Sequence, residues 1–389
     1  MYKYSMEEEL VLKSLKEFVE QEVKPRAQEI DKSNDFPRDL WDRCSELGLI
    51  GASVPEEFGG LGMSIVMEQR ILEEISKECP MLALVIDAHH LAIRQIRSFG
   101  TEAQKKKYLP KMASGEIIGA VASTEAVGCS NYADWAPMAT KTEDGLLINT
   151  TKVFITNSTF CDIFVFLGIV DGSFCNVLVD ANAEGVSRGM ADHKVGMNGS
   201  GTGTVRCVDV KVPFENVLIP EHYDFEKDTT ESSASFLNIS AISLGIAESV
   251  FEKTKTYLLN RKRSGKPIAG LQVAAHGLAD MKCKIEMSRA LLYQVAEAMT
   301  EKCADRIQIH ITKAMIPEMT VEICTRAIRM HGGVGYMEET GIARYLRDAL
   351  CNTIGEIPTE GHMDQIAILL GLPIDASASI SKSADDYVE

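Results

Sequence analysis

The sequence predicts an α+β fold in three consecutive parts: an N-terminal α-helical domain over residues 1–119, a middle antiparallel β domain over 120–228 and a C-terminal four-helix bundle over 229–389. Two observations predict it. Apolar residues recur at helical spacing in the first and last parts of the chain. Between them lie short β-branched runs that partly alternate and are separated by turn formers.

Taken in order, Val11, Leu15, Phe18 and Val19 share one face of a first helix whose other face is Glu and Lys, and Pro25 ends or kinks it. A second short helix begins at Asp39 and is stopped by Gly48. The segment from Val54 to Gly62 is a turn-rich loop, and helices resume over 67–77 and 82–98. The runs 153–156, 162–167, 176–179 and 204–212 read as strands. In the third part, Ala247, Val250, Phe251 and Thr254 form one apolar face, and Leu278, Met281, Ile285, Leu292 and Val295 another, as an antiparallel bundle requires. Pro317 predicts a kink, and the Ser- and Asp-rich tail from Asp375 is expected to fray.

The net charge of −16 over 389 residues disfavours nucleic acid or an anionic membrane as partner, while leaving room for a local basic pocket. The ten cysteines are scattered, with none paired as Cys-x-x-Cys, so packing roles in a reducing compartment and no metal site are expected. No run reaches ~18 consecutive apolar residues, and residues 1–10 hold no secretory apolar run. A cytoplasmic protein without a membrane span is the expectation. A nicotinamide enzyme is disfavoured, because no Gly-x-Gly-x-x-Gly follows a strand and opens a helix; the Gly199–Gly203 run precedes a strand instead.

Five ordered segments carry a resemblance. Val54-Pro-Glu-Glu-Phe-Gly-Gly-Leu-Gly62, Ser123-Thr-Glu125, Lys152-Val-Phe-Ile-Thr-Asn157, Val212-Pro-Phe-Glu-Asn-Val-Leu218 and His331-Gly-Gly-Val-Gly-Tyr336 resemble the acyl-CoA dehydrogenases, over about residues 6–372. The resemblance implies FAD, an acyl-CoA substrate, a homotetramer and reoxidation by an electron-transferring flavoprotein.

It also implies site residues. Thr124 and Thr156 match the family threonines against the flavin ring, where hydroxyl donors stabilise the electron-rich reduced ring without bulk water; β-propensity alone would also place threonines there. Phe154 stands where the family has a tryptophan that stacks on the flavin. Ser130 matches a loop serine or threonine that touches flavin or substrate, although Glu125-Ala-Val-Gly-Cys-Ser-Asn131 lacks the family's proline and second glycine. Gly332, Gly333 and Gly335, with Arg329, suggest backbone amides brought close to a phosphate; a helix cap alone would need one glycine. Arg261 and Gln272 match residues that reach the FAD of a neighbouring subunit, while the accompanying family phenylalanine is Ser264 here.

Three carboxylates compete for the general base, which must take a proton beside a thioester carbonyl from within a dry pocket. Counting from His331, Glu356 falls on the family's catalytic glutamate, preceded by Gly355 in the substrate set. The segment reads Gly355-Glu-Ile-Pro-Thr-Glu-Gly361 rather than Tyr-Glu-Gly-Thr, so the second Glu-Gly pair at Glu360 is an alternative, and helix-dipole enrichment explains either. Asp87, on an apolar helix, aligns with the acyl pocket. It either bonds His89, His90 or Arg94, or acts as base at a distal carbon of an alicyclic acyl-CoA. The usual alternative base position is held by Ser235 and Phe236, and a family arginine by Asn198. The departures cluster around the acyl group rather than the flavin. A flavin-binding lyase or non-catalytic relative is the competing class.

Overall fold

A computed structural model describes residues 2–128, 134–218 and 233–374. Ser130 and the tail from Asp375 lie outside the described residues.

The N-terminal part is helical. Helix α1 (Met6–Phe18) starts from a capping box, the Ser5 hydroxyl accepting from Glu8 N–H and the Glu8 carboxylate from Ser5 N–H. It buries Leu12, Leu15 and Phe18. Ahead of Pro25 the chain widens into a π turn (Val19–Val23), and α2 (Ala27–Ser33) and α3 (Arg38–Glu46) follow. Two longer helices then form the wall that matters for the site. These are α4 (Ile65–Ser76), capped by Ser64, and α5 (Pro80–Phe99), which opens on Pro80 where no N–H is needed. Helix α6 (Glu102–Ala113) ends the domain, and its Gln104 side chain donates to Glu215 O and Val217 O of the middle domain at 2.6 and 3.1 Å.

The middle domain is a sheet of β1 (Gly119–Ala122), β2 (Pro137–Lys141), β3 (Gly145–Ile155), β4 (Ile163–Val170), β5 (Ser173–Asp180), β6 (Val186–Arg188) and β7 (Gly203–Pro213). It is mixed, which corrects the expectation of a purely antiparallel domain. Strand β4 pairs along its whole length with antiparallel β5, while β1 and β2 run parallel to it. Parallel pairing needs a long connection, and the chain between β1 and β4, which holds the β2–β3 hairpin, supplies one. Alternation within a strand carries no trace of that choice.

The C-terminal part holds α7 (Ala234–Asn260), α8 (Gln272–Thr300), α9 (Arg306–His331), α10 (Ile342–Ile354) and α11 (Thr359–Leu369), with a two-residue hairpin pairing between α7 and α8. Helix α9 continues through Pro317 to His331. Helix α7 is long and apolar enough to cross a membrane by length and composition, its serines and glycine having broken the consecutive apolar run; 89% of that window is buried inside the protein. It lies directly on α4: a Cβ at Gly245 would come within 2.0 Å of Ser76 Oγ and 2.2 Å of Glu73 O. Helix α10 ties back to the N-terminal part, Arg344 donating to Ala27 O and Glu78 O at 2.9 and 2.8 Å.

Candidate functional site

The two helical domains meet along a buried polar seam. Asp87, His90 and Arg94 stand at i, i+3 and i+7 on α5, one face of an otherwise apolar helix, and all are buried. They meet Glu68 on α4 and Asn238 on α7. Glu68 Oε1 faces His90 Nδ1 at 3.1 Å, accepts from Asn238 Nδ2 at 2.7 Å, and is ion-paired with Arg94. Asn238 Nδ2 also donates to Asp87 Oδ1 at 2.6 Å, while its own Oδ1 accepts from Gln69 Nε2 at 2.5 Å. His90 Nε2 reaches Ile50 O at 2.9 Å, so that nitrogen carries a proton. Burial pushes Glu68 up, but Arg94 and His90 outweigh it and hold its carboxyl well below the ordinary range. Asp87 bonds neither histidine. His89 turns away, facing Met112 O and accepting from Gly119 N–H at 2.9 Å.

Asp87 and Glu68 are thus held in opposite states. Burial pushes Asp87 up to about 8, with the charge of Glu356 adding to it and Arg94 and the Asn238 bond opposing. Glu356 lies in the turn between α10 and α11 at φ +61°, half-buried. Burial raises it to about 6 against the pull of Lys313, a Ser235 hydrogen bond and Arg94. The structure therefore brings Asp87 and Glu356 into one electrostatic unit, with the half-buried Gly355 beside it. It does not bring in Glu360, which is exposed on the first turn of α11. The chain re-enters a helix at Thr359, and by then the glutamate side chain points outward.

The flavin-type residues form a second group, joined to the first by one side chain. Val153 N–H donates to Thr124 O at 2.8 Å, which sets the Thr124 segment beside Phe154 and Thr156. Phe154 occupies a bulge between Lys152 and Ile155 at φ +57° and is 70% exposed. An aromatic ring held open to solvent by a strained backbone, flanked by two half-buried threonines, offers a surface for a flat ring system. Lys152, its side chain fully buried, anchors the bulge by donating to Ser123 O and the Glu125 carboxylate at 3.1 and 2.8 Å beneath the Trp135 ring. Asn157 Nδ2 then donates to Val85 O at 3.0 Å, two residues before Asp87.

A third group stands at one end of the bundle. Helix α7 ends at Asn260, α8 begins at Gln272 and α9 ends at His331, and Tyr257 stacks on His331 with ring centroids 4.3 Å apart. Arg261, Gln272, Arg329, Gly332 and Gly333 are all exposed there. Gly332 has φ +67°, and a Cβ at Gly332 or Gly333 would meet nothing within 4 Å, so both leave an open approach to backbone. Gly335 corrects the expectation for the trio. It is buried, and a Cβ there would lie 2.6 Å from Ile328 O, so its missing side chain serves helix packing.

Sequence reasoning passed over Glu68, Gln69, Asn238 and Lys313, and named Arg94 only as a partner Asp87 might bond and Ser235 only as the occupant of the alternative base position. A signal existed: a polar stripe at Asp87, His90 and Arg94 on an apolar helix, and a lone Asn238 between Leu237 and Ile239.

Three family models match in order: acyl-CoA dehydrogenase, N-terminal domain, over residues 5–116; middle domain over 120–210; and C-terminal domain over 236–370. The chain is 31% identical over 365 residues to the short-chain specific acyl-CoA dehydrogenase of Clostridium acetobutylicum, covering 92% of this chain and 96% of that one. It is 30% identical over 360 residues to the caffeyl-CoA reductase–Etf complex subunit CarC of Acetobacterium woodii, covering 91% and 95%. The structure of butyryl-CoA dehydrogenase from Megasphaera elsdenii superposes with a TM-score of 0.90 at 29% identity, covering 95% of this chain and 99% of that one.

Proposed function

Because the chain belongs to the acyl-CoA dehydrogenase family, we propose that it is an FAD enzyme in which Glu356 removes a proton beside the thioester carbonyl of an acyl-CoA while hydride leaves the neighbouring carbon. One observation carries this reading. The Glu356 carboxyl, its oxygens buried on a left-handed turn and pushed up to about 6, stands in one electrostatic unit with Asp87, itself pushed up to about 8.

Bound FAD would supply the hydride acceptor. The residues present fit it: Thr124, Phe154 and Thr156 would meet the ring, and Gly332, Gly333, Arg329, Arg261 and Gln272 its phosphates and their surroundings. Arg261 and Gln272, exposed on a single chain, are read as reaching the cofactor of a neighbouring copy in a homotetramer. Electron transfer to an electron-transferring flavoprotein is supported by the name of the A. woodii relative. Within the chain's own residues, Glu356 accepts the proton, Ser235 orients its carboxyl, and the Glu68–Arg94 pair keeps a net-neutral wall behind Asp87.

The test is anaerobic bleaching of the yellow protein by straight, branched, aromatic and alicyclic acyl-CoAs. Glu356→Gln should slow bleaching by about 100-fold or more; bleaching at the unsubstituted rate would remove Glu356 as base.

The raised, buried Asp87 favours a second reading, a base acting at a distal carbon of an alicyclic (cyclohexene- or cyclohexane-carboxyl-type) acyl-CoA. Asp87→Asn would then abolish bleaching by alicyclic thioesters and spare straight chains. If no acyl-CoA of the panel bleaches the FAD-loaded protein, it is instead a lyase or a non-catalytic relative, whereas bleaching left unchanged by Asp87→Asn, Glu356→Gln and Glu360→Gln alike removes all three carboxylates as base.

A further inference from the structure

We propose that Lys313 is the positioning residue of the catalytic turn, its ammonium clamping the two carbonyls that bracket Glu356 while keeping a cation beside the carboxylate. The inference rests on Glu356 as base and adds how that base is held.

Lys313 is fully buried in α9. An ammonium has three donors; two of them go to Asn352 O at 2.9 Å and Ile357 O at 2.8 Å. The first carbonyl belongs to the last turn of α10, where helical carbonyls lose their partners and the helix end is negative. The second follows Glu356 directly. One side chain from another helix thus fixes both sides of a residue at φ +61°.

A buried ammonium is costly unless charge answers it. The groups facing Glu356 are Asp87 and Arg94 from α5, Ser235 from α7 and Lys313 from α9. Arg94 is committed to Glu68. His310, one turn before Lys313, and His362 on α11 face each other through Nδ1 at 2.9 Å. Burial drives both imidazoles to the neutral form, His310 down to about 4. Lys313 is therefore the cation on this side, and Glu356 is the carboxylate that answers it.

A mere helix clamp would hold the turn without setting the protonation of Glu356. The experiment is an infrared titration of the Glu356 carboxyl in the FAD-loaded protein, with Glu356→Gln as the spectral reference. Lys313→Met should raise the midpoint by about one to two pH units, and Lys313→Arg, which keeps the cation, should restore it. At pH 7 bleaching by the fastest acyl-CoA of the panel should fall about two- to ten-fold in Lys313→Met, in step with the shift of the midpoint, and recover in part at pH 9. An unchanged midpoint in folded, FAD-loaded Lys313→Met overturns the proposal. Should that variant not fold, Lys313→Gln, which retains a donor and loses the charge, decides by the same midpoint. The titration needs no substrate, so Glu356→Gln bleaching at the unsubstituted rate would sink the base while leaving the Lys313 result standing.

Discussion

Replacing Asp87 by Asn should stabilise the protein, and increasingly so as the pH rises. Asp87 is 1% exposed, and its acceptor bond from Asn238 survives in the amide, whose oxygen still takes the proton. A carboxyl whose folded midpoint lies above its unfolded one keeps a proton that the unfolded chain has released. Stability then falls as pH climbs from the unfolded value of 3.8 to the folded value of about 8. At about 1.36 kcal/mol per unit the full penalty has an upper bound of about 6 kcal/mol. Relaxation of the pocket and its effective dielectric reduce this to about 2–4 kcal/mol above pH 8. Urea unfolding at pH 4.5, 7 and 8.5, followed by circular dichroism on both proteins, reads the difference directly. Asp87→Asn should match the parent within about 1 kcal/mol at pH 4.5 and exceed it most at pH 8.5. A constant gap across the three pH values, or a parent that is more stable at pH 8.5, would refute the dry, protonated carboxyl.

Two further outcomes follow from packing and backbone. Gly245→Ala should cost about 2–3 kcal/mol in urea unfolding, because its Cβ would press on the Glu73 carbonyl, which cannot swing aside, as well as on Ser76 Oγ. Phe154→Gly should raise the thermal midpoint of the FAD-free protein by relieving about 1 kcal/mol of strain at φ +57°, while fluorescence titration shows weaker FAD uptake; loss of stability together with unchanged uptake would reverse the role given to that ring.

Much of this was open to reading in the chain itself. The three-part order came from periodicity, and Glu356 was reached by counting from His331, where spacing is local. Asp87 stood out as an acid on an apolar helix. Its partner did not, because Asn238 is 151 residues away and nothing in the local pattern prefers an asparagine to the adjacent His89 and His90. Glu68 was hidden for the same reason, its Asn238 bond spanning 170 residues. The parallel pairing of β1 with β4 depends on the path of the connection, which alternation does not record. Glu360 fell away because one turn of helix changes which way a side chain faces, and residue counting cannot follow that rotation.

The polar seam is assembled from distant stretches of polypeptide, which dictates an order of events during synthesis. A chain emerging N-terminus first leaves Glu68, Asp87 and Arg94 hydrated until Asn238 has left the ribosome, and Lys313 and Glu356 arrive later still. Closing such long loops is slow, so the half-made molecule carries wet, charged side chains where the finished one has a buried, hydrogen-bonded seam. The polar seam is thus the last region to dry, and truncation shortly before residue 313 would leave its acids without the Lys313 contacts that follow them.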